Sequence, residues 1–318
     1  MPETPDPRPV PPTKPGDIVD AHMHLFTLEI LEEMIATFPD SSRFQQAVKD
    51  RKWGRRGERW DLPELDAVQM ADWYAKRLDD AGITKGIVVA TVPDSQYMRD
   101  FVVASAGRVS VLAAPDPREP SAVELLEREI AAGMKGIKLY PVNRCYCLSD
   151  PACKPFFDRA EELGVSFIIH YGVTVDPRGD MRYADPIDLS PVARDQPGSS
   201  FVVAHFAAGF LDSLLKVAYQ CKNVCVDTSG TNNWMDNYVP RLTLPEVFER
   251  ALVGLGPERI MFGTDAGTTA PYRKWIAFQQ RRVLEEMGLS DAERDLILRG
   301  NAVRIFGLDP QDAPKAGS

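Results

Sequence analysis

Eight short apolar runs punctuate the chain, with longer amphipathic stretches between them. The runs are Ile18–His24, Gly86–Thr91, Val109–Ala114, Gly136–Tyr140, Val165–His170, Phe201–His205, Val224–Thr228 and Ile260–Asp265. Helical patterns fall at Ala67–Ala81, Pro120–Gly133, Pro155–Gly164, Phe210–Cys221 and Leu244–Leu255, and Gly82, Gly133 and Gly164 mark helix ends. Apolar strands alternating with helices imply a parallel sheet covered on both faces. Eight such units within 318 residues imply an α/β fold of the (β/α)8 barrel type. Beyond the eighth run, Tyr272–Met287 reads as a helix, and a capping box at Ser290/Glu293 opens another that runs to Gly307.

The chain has four histidines, and each lies at the end of one of these runs. His22 and His24 close the first, His170 the fifth and His205 the sixth; Asp265 closes the eighth. Active sites of this barrel sit at the C-terminal ends of its strands, so these five groups converge on one mouth. Residues two apart in a strand share a face, so His22 and His24 can grip one ion together. Imidazoles and a carboxylate form the ligand set of a first-row metal, with one base to spare. Lys138 on strand four, and Tyr140, Arg144, Tyr171, Asn232, Asn233 and Trp234 at or just past the ends of strands four, five and seven, are candidates for holding a substrate.

Composition narrows the partners. A net charge of −9 argues against nucleic acid or an anionic membrane surface. No apolar run approaches the roughly 20 residues of a membrane span. Residues 1–16, with seven prolines among the first fifteen, read as an extended tail without the apolar core of a signal peptide. The barrel is expected over residues 17–308, followed by a polar tail at 309–318. Five cysteines, an odd number, fit reduced thiols and a cytoplasmic location. Cys145, Cys147 and Cys153 match no common zinc spacing and read as loop thiols. Cys221 and Cys225 read as packing residues.

The stretch 26–66 is far longer than a usual strand-to-helix connection. It carries its own helical pattern, LEILEEMIATF, and a basic patch of Lys49, Arg51, Lys52, Arg55, Arg56 and Arg59. An insertion there emerges at the catalytic face, which makes it a candidate lid.

The ligand order, His-x-His after strand one, His after five, His after six and Asp after eight, resembles the amidohydrolase superfamily. The strings GIKLYP, FFDRAEELGVSFIIHYG, VVAHFAAGF, NVCVDTS, FGTDAG and LRGNAVRIFGL resemble its amidohydrolase-related branch. The match extends from about Ile18 to Leu308. It implies one divalent ion, zinc first, with manganese or another first-row ion as alternatives, held by His22, His24, His170 and Asp265. Asp265 would also orient water and take its proton, and His205 would act beside the metal as acid, base or electrophile. In binuclear members of the superfamily a strand-four lysine is carboxylated and bridges two metals; in this branch it is not, which leaves Lys138 to bind a substrate carboxylate.

The expected function is metal-dependent hydrolysis of an amide, lactone or ester-like bond in a small carboxylated molecule. A non-oxidative decarboxylase or hydratase of the same branch is the alternative, and a metal-binding protein without catalysis the third reading. Decarboxylases of the branch lack the lysine-containing GIKLYP string, and His205 argues against the third. A small-molecule substrate is expected, with at most a second copy of the chain as macromolecular partner.

Overall fold

The first strand, β1 (Val19–His24), changes face halfway along, and that irregularity places the site. The computed structural model describes residues 18–36, 62–269 and 271–308, and between them 46, 50, 52–53 and 58–59. Seven further parallel strands follow: β2 (Lys85–Val89), β3 (Val109–Ala113), β4 (Gly136–Leu139), β5 (Phe167–Ile169), β6 (Phe201–Val203), β7 (Val224–Asp227) and β8 (Ile260–Met261). They pair in chain order. Backbone bonds from Ala21 to Phe262 (3.0 Å), from Asp265 to His22 (2.8 Å) and from His24 to Ala266 (2.8 Å) join the last strand to the first. The result is the (β/α)8 barrel that the alternation implies.

Two apolar layers separate by parity. Val19, Ala21, Ile87, Val89, Leu112, Ile168, Val202, Cys225 and Met261 share one cluster, the barrel interior. Ile18, Met23, Val88, Val111, Phe167 and Phe201 join the cluster facing the surrounding helices. In β1, a β-bulge shifts the register between Asp20 and Met23. A bulge inserts one residue and resets the alternation. Ala21 and His22 therefore both turn inward, and His24 follows two residues later.

The interior is sealed at the end opposite the site. Ala302, Ile305 and Phe306, from the helix Asn301–Phe306, pack into the interior cluster. At Gly136 the approach leaves no room for a side chain: a Cβ there would lie 3.1 Å from the Phe306 ring and 2.7 Å from the Ser166 carbonyl oxygen. Buried Asn301 ties this helix to the barrel floor, donating to the carbonyls of Pro257 (2.7 Å) and Ile260 (2.8 Å). The GIKLYP and LRGNAVRIFGL strings thus meet at the plug.

The helices follow the sequence reading closely. Ala67–Ala81 begins at an Asp66/Gln69 capping box and ends at left-handed Gly82; Leu244–Leu255 has its own box. The Ser290/Glu293 box is present, and its helix passes through a π-turn at Leu296–Gly300 before Asn301. Each strand is shorter than the run that implied it, and at two of them this bears on the site. β6 stops at Val203 and β8 at Met261, so His205 and Asp265 stand on the turns that follow, Asp265 still tied to His22 by a backbone bond.

Within the insertion, Leu28–Ala36 is helical and 52–53 pairs antiparallel with 58–59. Leu31, Ile35 and Leu62 form a small core of their own. Its entry is fastened to the mouth, because Thr268 Oγ1 accepts from Phe26 N–H and donates to Phe26 C=O, and the Phe26 ring stacks on His24. Lys49, Arg51, Arg55 and Arg56 of the basic patch, and both expected tails, lie outside the described residues. Among the described residues no helix is long and apolar enough to cross a membrane.

Candidate metal centre

The strand ends bring the four histidines into one cluster. Ring centroids are 5.3 Å apart for His22 and His24, 4.9 Å for His22 and His205, and 5.2 Å for His170 and His205. Asp265 closes the group, its Oδ1 3.0 Å from His24 Nε2 and 4.0 Å from His22 Nε2. Asp265 holds a left-handed backbone (φ 57°), as do His205 to Ala208 (φ 57°, 52°, 59° and 26°). Such non-glycine conformations cost of order 1–3 kcal/mol each and gather at functional sites.

Among the described residues, two triplets of side chains put ligand atoms within 4.8 Å of one another: His22, His24 and Asp265, and His22, His205 and Asp227. They differ in what those atoms already do. Asp227 Oδ2 is 2.8 Å from His22 Nδ1, and Asp227 Oδ1 accepts from Ser229 Oγ, which lies 2.7 Å from His205 Nδ1. The second triplet is a closed hydrogen-bond network. In the first, His22 Nε2 is buried and has no hydrogen-bond partner, and His170 Nε2 is in the same condition. A buried polar atom left unpaired costs about 1–3 kcal/mol, and a cation satisfies an imidazole lone pair. The residues fit a metal on the His22/His24/Asp265 side, with His170 nearby though outside both triplets.

Electrostatics agree with that division. Burial pushes His22 down to about 3, Lys138 adds to this, and Asp227 opposes it. Burial likewise holds His170 and His205 below the usual histidine range. These rings are neutral near pH 7, as metal ligands and bases must be. Burial would raise the Asp265 carboxyl, but the bond to His24 and the charges around it, Arg273 included, hold it well below. Burial depresses Lys138 to about 8, against the pull of Asp227 and Asp265.

The amidohydrolase family model matches residues 19–308. This chain belongs to the amidohydrolase family. No curated protein sequence matches it. Among solved amidohydrolase-like structures, it is similar to a probable 2-pyrone-4,6-dicarboxylic acid hydrolase from Acinetobacter baumannii with citric acid bound (15% identity, TM-score 0.61, covering 92% of this chain and 99% of that one). It is similar to a zinc-bound amidohydrolase from Burkholderia multivorans (16%, TM-score 0.60, 92% and 99%). It is equally similar to a dihydroxybenzoic acid decarboxylase from Polaromonas with bound manganese and 2-nitroresorcinol (18%, TM-score 0.63, 92% and 97%).

The expected substrate residues separate in this amidohydrolase barrel. Lys138 is fully buried, with Nζ unpartnered and 5.1 Å from the Tyr140 ring centroid. Asn232 Oδ1 and Trp234 Nε1 are also buried and unpartnered, whereas Asn233 opens a short 3-10 turn in the same loop. Tyr140 donates its hydroxyl to Ala90 C=O (2.8 Å). Arg144 donates to Ala114 C=O (2.9 Å) and stacks over Tyr140, so both brace strand ends. Tyr171 points outward: its ring is fully buried and its hydroxyl is bonded to Asp188. Cys145 and Cys147 line the loop after β4, Cys153 is buried, and no cysteine joins a metal-binding group among the described residues. Cys221 and Cys225 are buried, Cys225 inside the barrel.

Asp227, Ser229 and Arg273 escaped the sequence reading. Asp227 ends a strand as Asp265 ends a run, so the same strand-end logic applied to VCVD would have found it. Ser229 lies two residues on. Arg273, which donates to Asp265 Oδ2 at 2.9 Å, stands on a loop with no periodic signal.

Proposed function

We propose that the protein is a metal-dependent hydrolase of an amide, lactone or other ester-like bond in a small carboxylated molecule. The observation that carries this reading is the buried, unpartnered Nε2 of His22, set beside His24 and Asp265 at the barrel mouth. His22, His24, His170 and Asp265 would hold one divalent ion, zinc first, then manganese. When bound, that ion supplies Lewis-acid polarisation and makes water acidic enough to ionise near neutral pH.

His205 is neutral and its Nδ1 faces the hydroxyl and carbonyl oxygens of Ser229. We assign the water's proton to His205 Nε2 rather than to Asp265, the base that the resemblance implied, because both Asp265 oxygens are already engaged by His24 and Arg273. As the bond to the leaving oxygen or nitrogen breaks, the same nitrogen returns the proton to that atom. Asp265, shared between His24 and Arg273, stays ionised and orients. Lys138 supplies an unpaired buried ammonium for a substrate carboxylate, and Asn232 and Trp234 offer one acceptor and one donor.

Decarboxylation is the second reading, supported by a likeness to the Polaromonas enzyme as strong as that to the hydrolase. Metal-defined protein tested against lactones, amides and carboxylated aromatics, with hydrolysis product and CO2 followed together, separates the two. CO2 release without hydrolysis overturns the proposal; inactivity towards all of them favours a metal-binding protein without catalysis.

A further inference from the structure

Asp227 is fully buried, and three of its contacts run to groups that can only donate or that direct their hydrogen to it. Its Oδ1 accepts from the backbone N–H of His205 (3.0 Å), the N–H of Ser229 (3.0 Å) and the Ser229 hydroxyl (2.5 Å). Its Oδ2 takes His22 Nδ1 at 2.8 Å. Three donors converging on Oδ1 favour the ionised carboxylate over the protonated acid. An ionised carboxylate has no hydrogen to give, so the hydrogen of the His22 contact belongs to Nδ1.

The same logic passes through Ser229 to His205. The Ser229 hydroxyl has one hydrogen and directs it to Asp227, so towards His205 Nδ1, 2.7 Å away, it can only accept. The Ser229 carbonyl oxygen, 3.1 Å from that nitrogen, is also an acceptor. Both oxygens require a hydrogen on His205 Nδ1.

We propose that Asp227 and Ser229 are positioning residues that set the tautomers of His22 and His205 together, placing the hydrogen on Nδ1 of each ring and leaving each Nε2 as a lone pair. One carboxylate thereby prepares a metal-ligand nitrogen on β1 and a proton-accepting nitrogen on the turn after β6. The roles of those nitrogens rest on the metal-centre reading; the tautomers are properties of the chain alone. Asp227 also pins the first residue of the left-handed turn His205–Ala208 through the His205 N–H, so ring orientation and backbone are fixed from one point.

The test uses full-length, metal-free protein labelled with 15N-histidine, in which imidazole nitrogen shifts report the tautomer of each ring. The wild type should show His22 and His205 protonated at Nδ1. In Asp227→Asn the new amide N–H can donate to His22 Nδ1, so that ring should reverse. Affinity for zinc, read by competition with a chelator, should then fall on the order of 10- to 100-fold, the usual worth of a ligand's outer partner. Ser229→Ala also removes a hydroxyl 3.1 Å from His22 Nδ1, but Asp227 Oδ2 still faces that nitrogen. The variant should therefore keep its zinc affinity and His22 protonated at Nδ1 while broadening the signals of His205, and should lower kcat without raising KM. Either ring protonated at Nε2 in the wild type overturns the assignment, and does so even if Asp227→Asn fails to fold. Zinc binding to Asp227→Asn as tight as to the wild type, or loss of zinc in Ser229→Ala, also overturns it. A wild type with the expected tautomers but no zinc affinity would instead defeat the metal-centre reading and leave the tautomer assignment standing.

Discussion

Nη1 of Arg273 stands 2.9 Å from Oδ2 of Asp265, while the other carboxylate oxygen lies 3.0 Å from Nε2 of His24. The carboxylate is thus divided between a permanent cation and a ring that can hold a metal. The pair is partly open to solvent, at 31% and 25% exposure, so its share of stability is at most about 1 kcal/mol. Its effect falls on the site. Arg273→Ala should lower kcat by about tenfold, one place on a logarithmic scale for about 1.4 kcal/mol of lost stabilisation. Its melting temperature should shift by less than about 4 °C. An unchanged kcat would reduce Arg273 to surface ballast.

Metal removal gives a more direct check. Activity should disappear on chelation and return on titration to about one equivalent of zinc or manganese, because four ligands suit a single centre. Ligand-linked stability follows RT ln(1 + [L]/Kd), about 2.7 kcal/mol at a hundredfold excess over Kd. Thermal melts of the metal-free protein should therefore rise with added ion. Elemental analysis showing two tightly held ions per chain would defeat this and restore Lys138 as a carboxylated bridge.

His205 should matter for turnover more than for metal retention. His205→Asn should keep its ion and lose on the order of 10²–10⁴ in kcat, the usual contribution of a positioned acid or base. A variant that arrives without metal would make His205 a ligand instead.

Much of this arrangement could be read from the chain because parallel strands buried on both faces leave near-continuous apolar runs. All eight runs became strands, and the histidines at their ends converged. The bulge in β1 left no trace in that pattern: strict alternation would set His22 opposite Val19 and Ala21, yet all three face inward. Parity did hold a clue that was passed over at Tyr171. Ile168 lies in the interior and His170 joins the cluster, so the residue after His170 had to turn outward. The partnership of Arg273 with Asp265 depends on the path of a loop, which no periodicity encodes.

Lys138 concerns stability and substrate choice at once. Its ammonium is buried and has no hydrogen-bond partner, a state that disfavours the folded chain. Lys138→Met, similar in length and free of charge, should therefore raise the melting temperature of the metal-free protein. The gain should depend on pH with a definite sign. Burial lowers this group from 10.5 to about 8 in the folded state. Between those values the unfolded chain binds more protons than the folded one, so wild-type stability rises with pH across that window. The advantage of Lys138→Met should be full below pH 8 and shrink as pH climbs towards 10.5. Its KM for a carboxylated substrate should rise at least tenfold, with little change for a neutral analogue, since an unpaired cation in a dry site favours an anion strongly. Equal effects on both substrates, or a variant less stable than the wild type at pH 7, would show that the ammonium has a structural partner and is not held in reserve for the substrate.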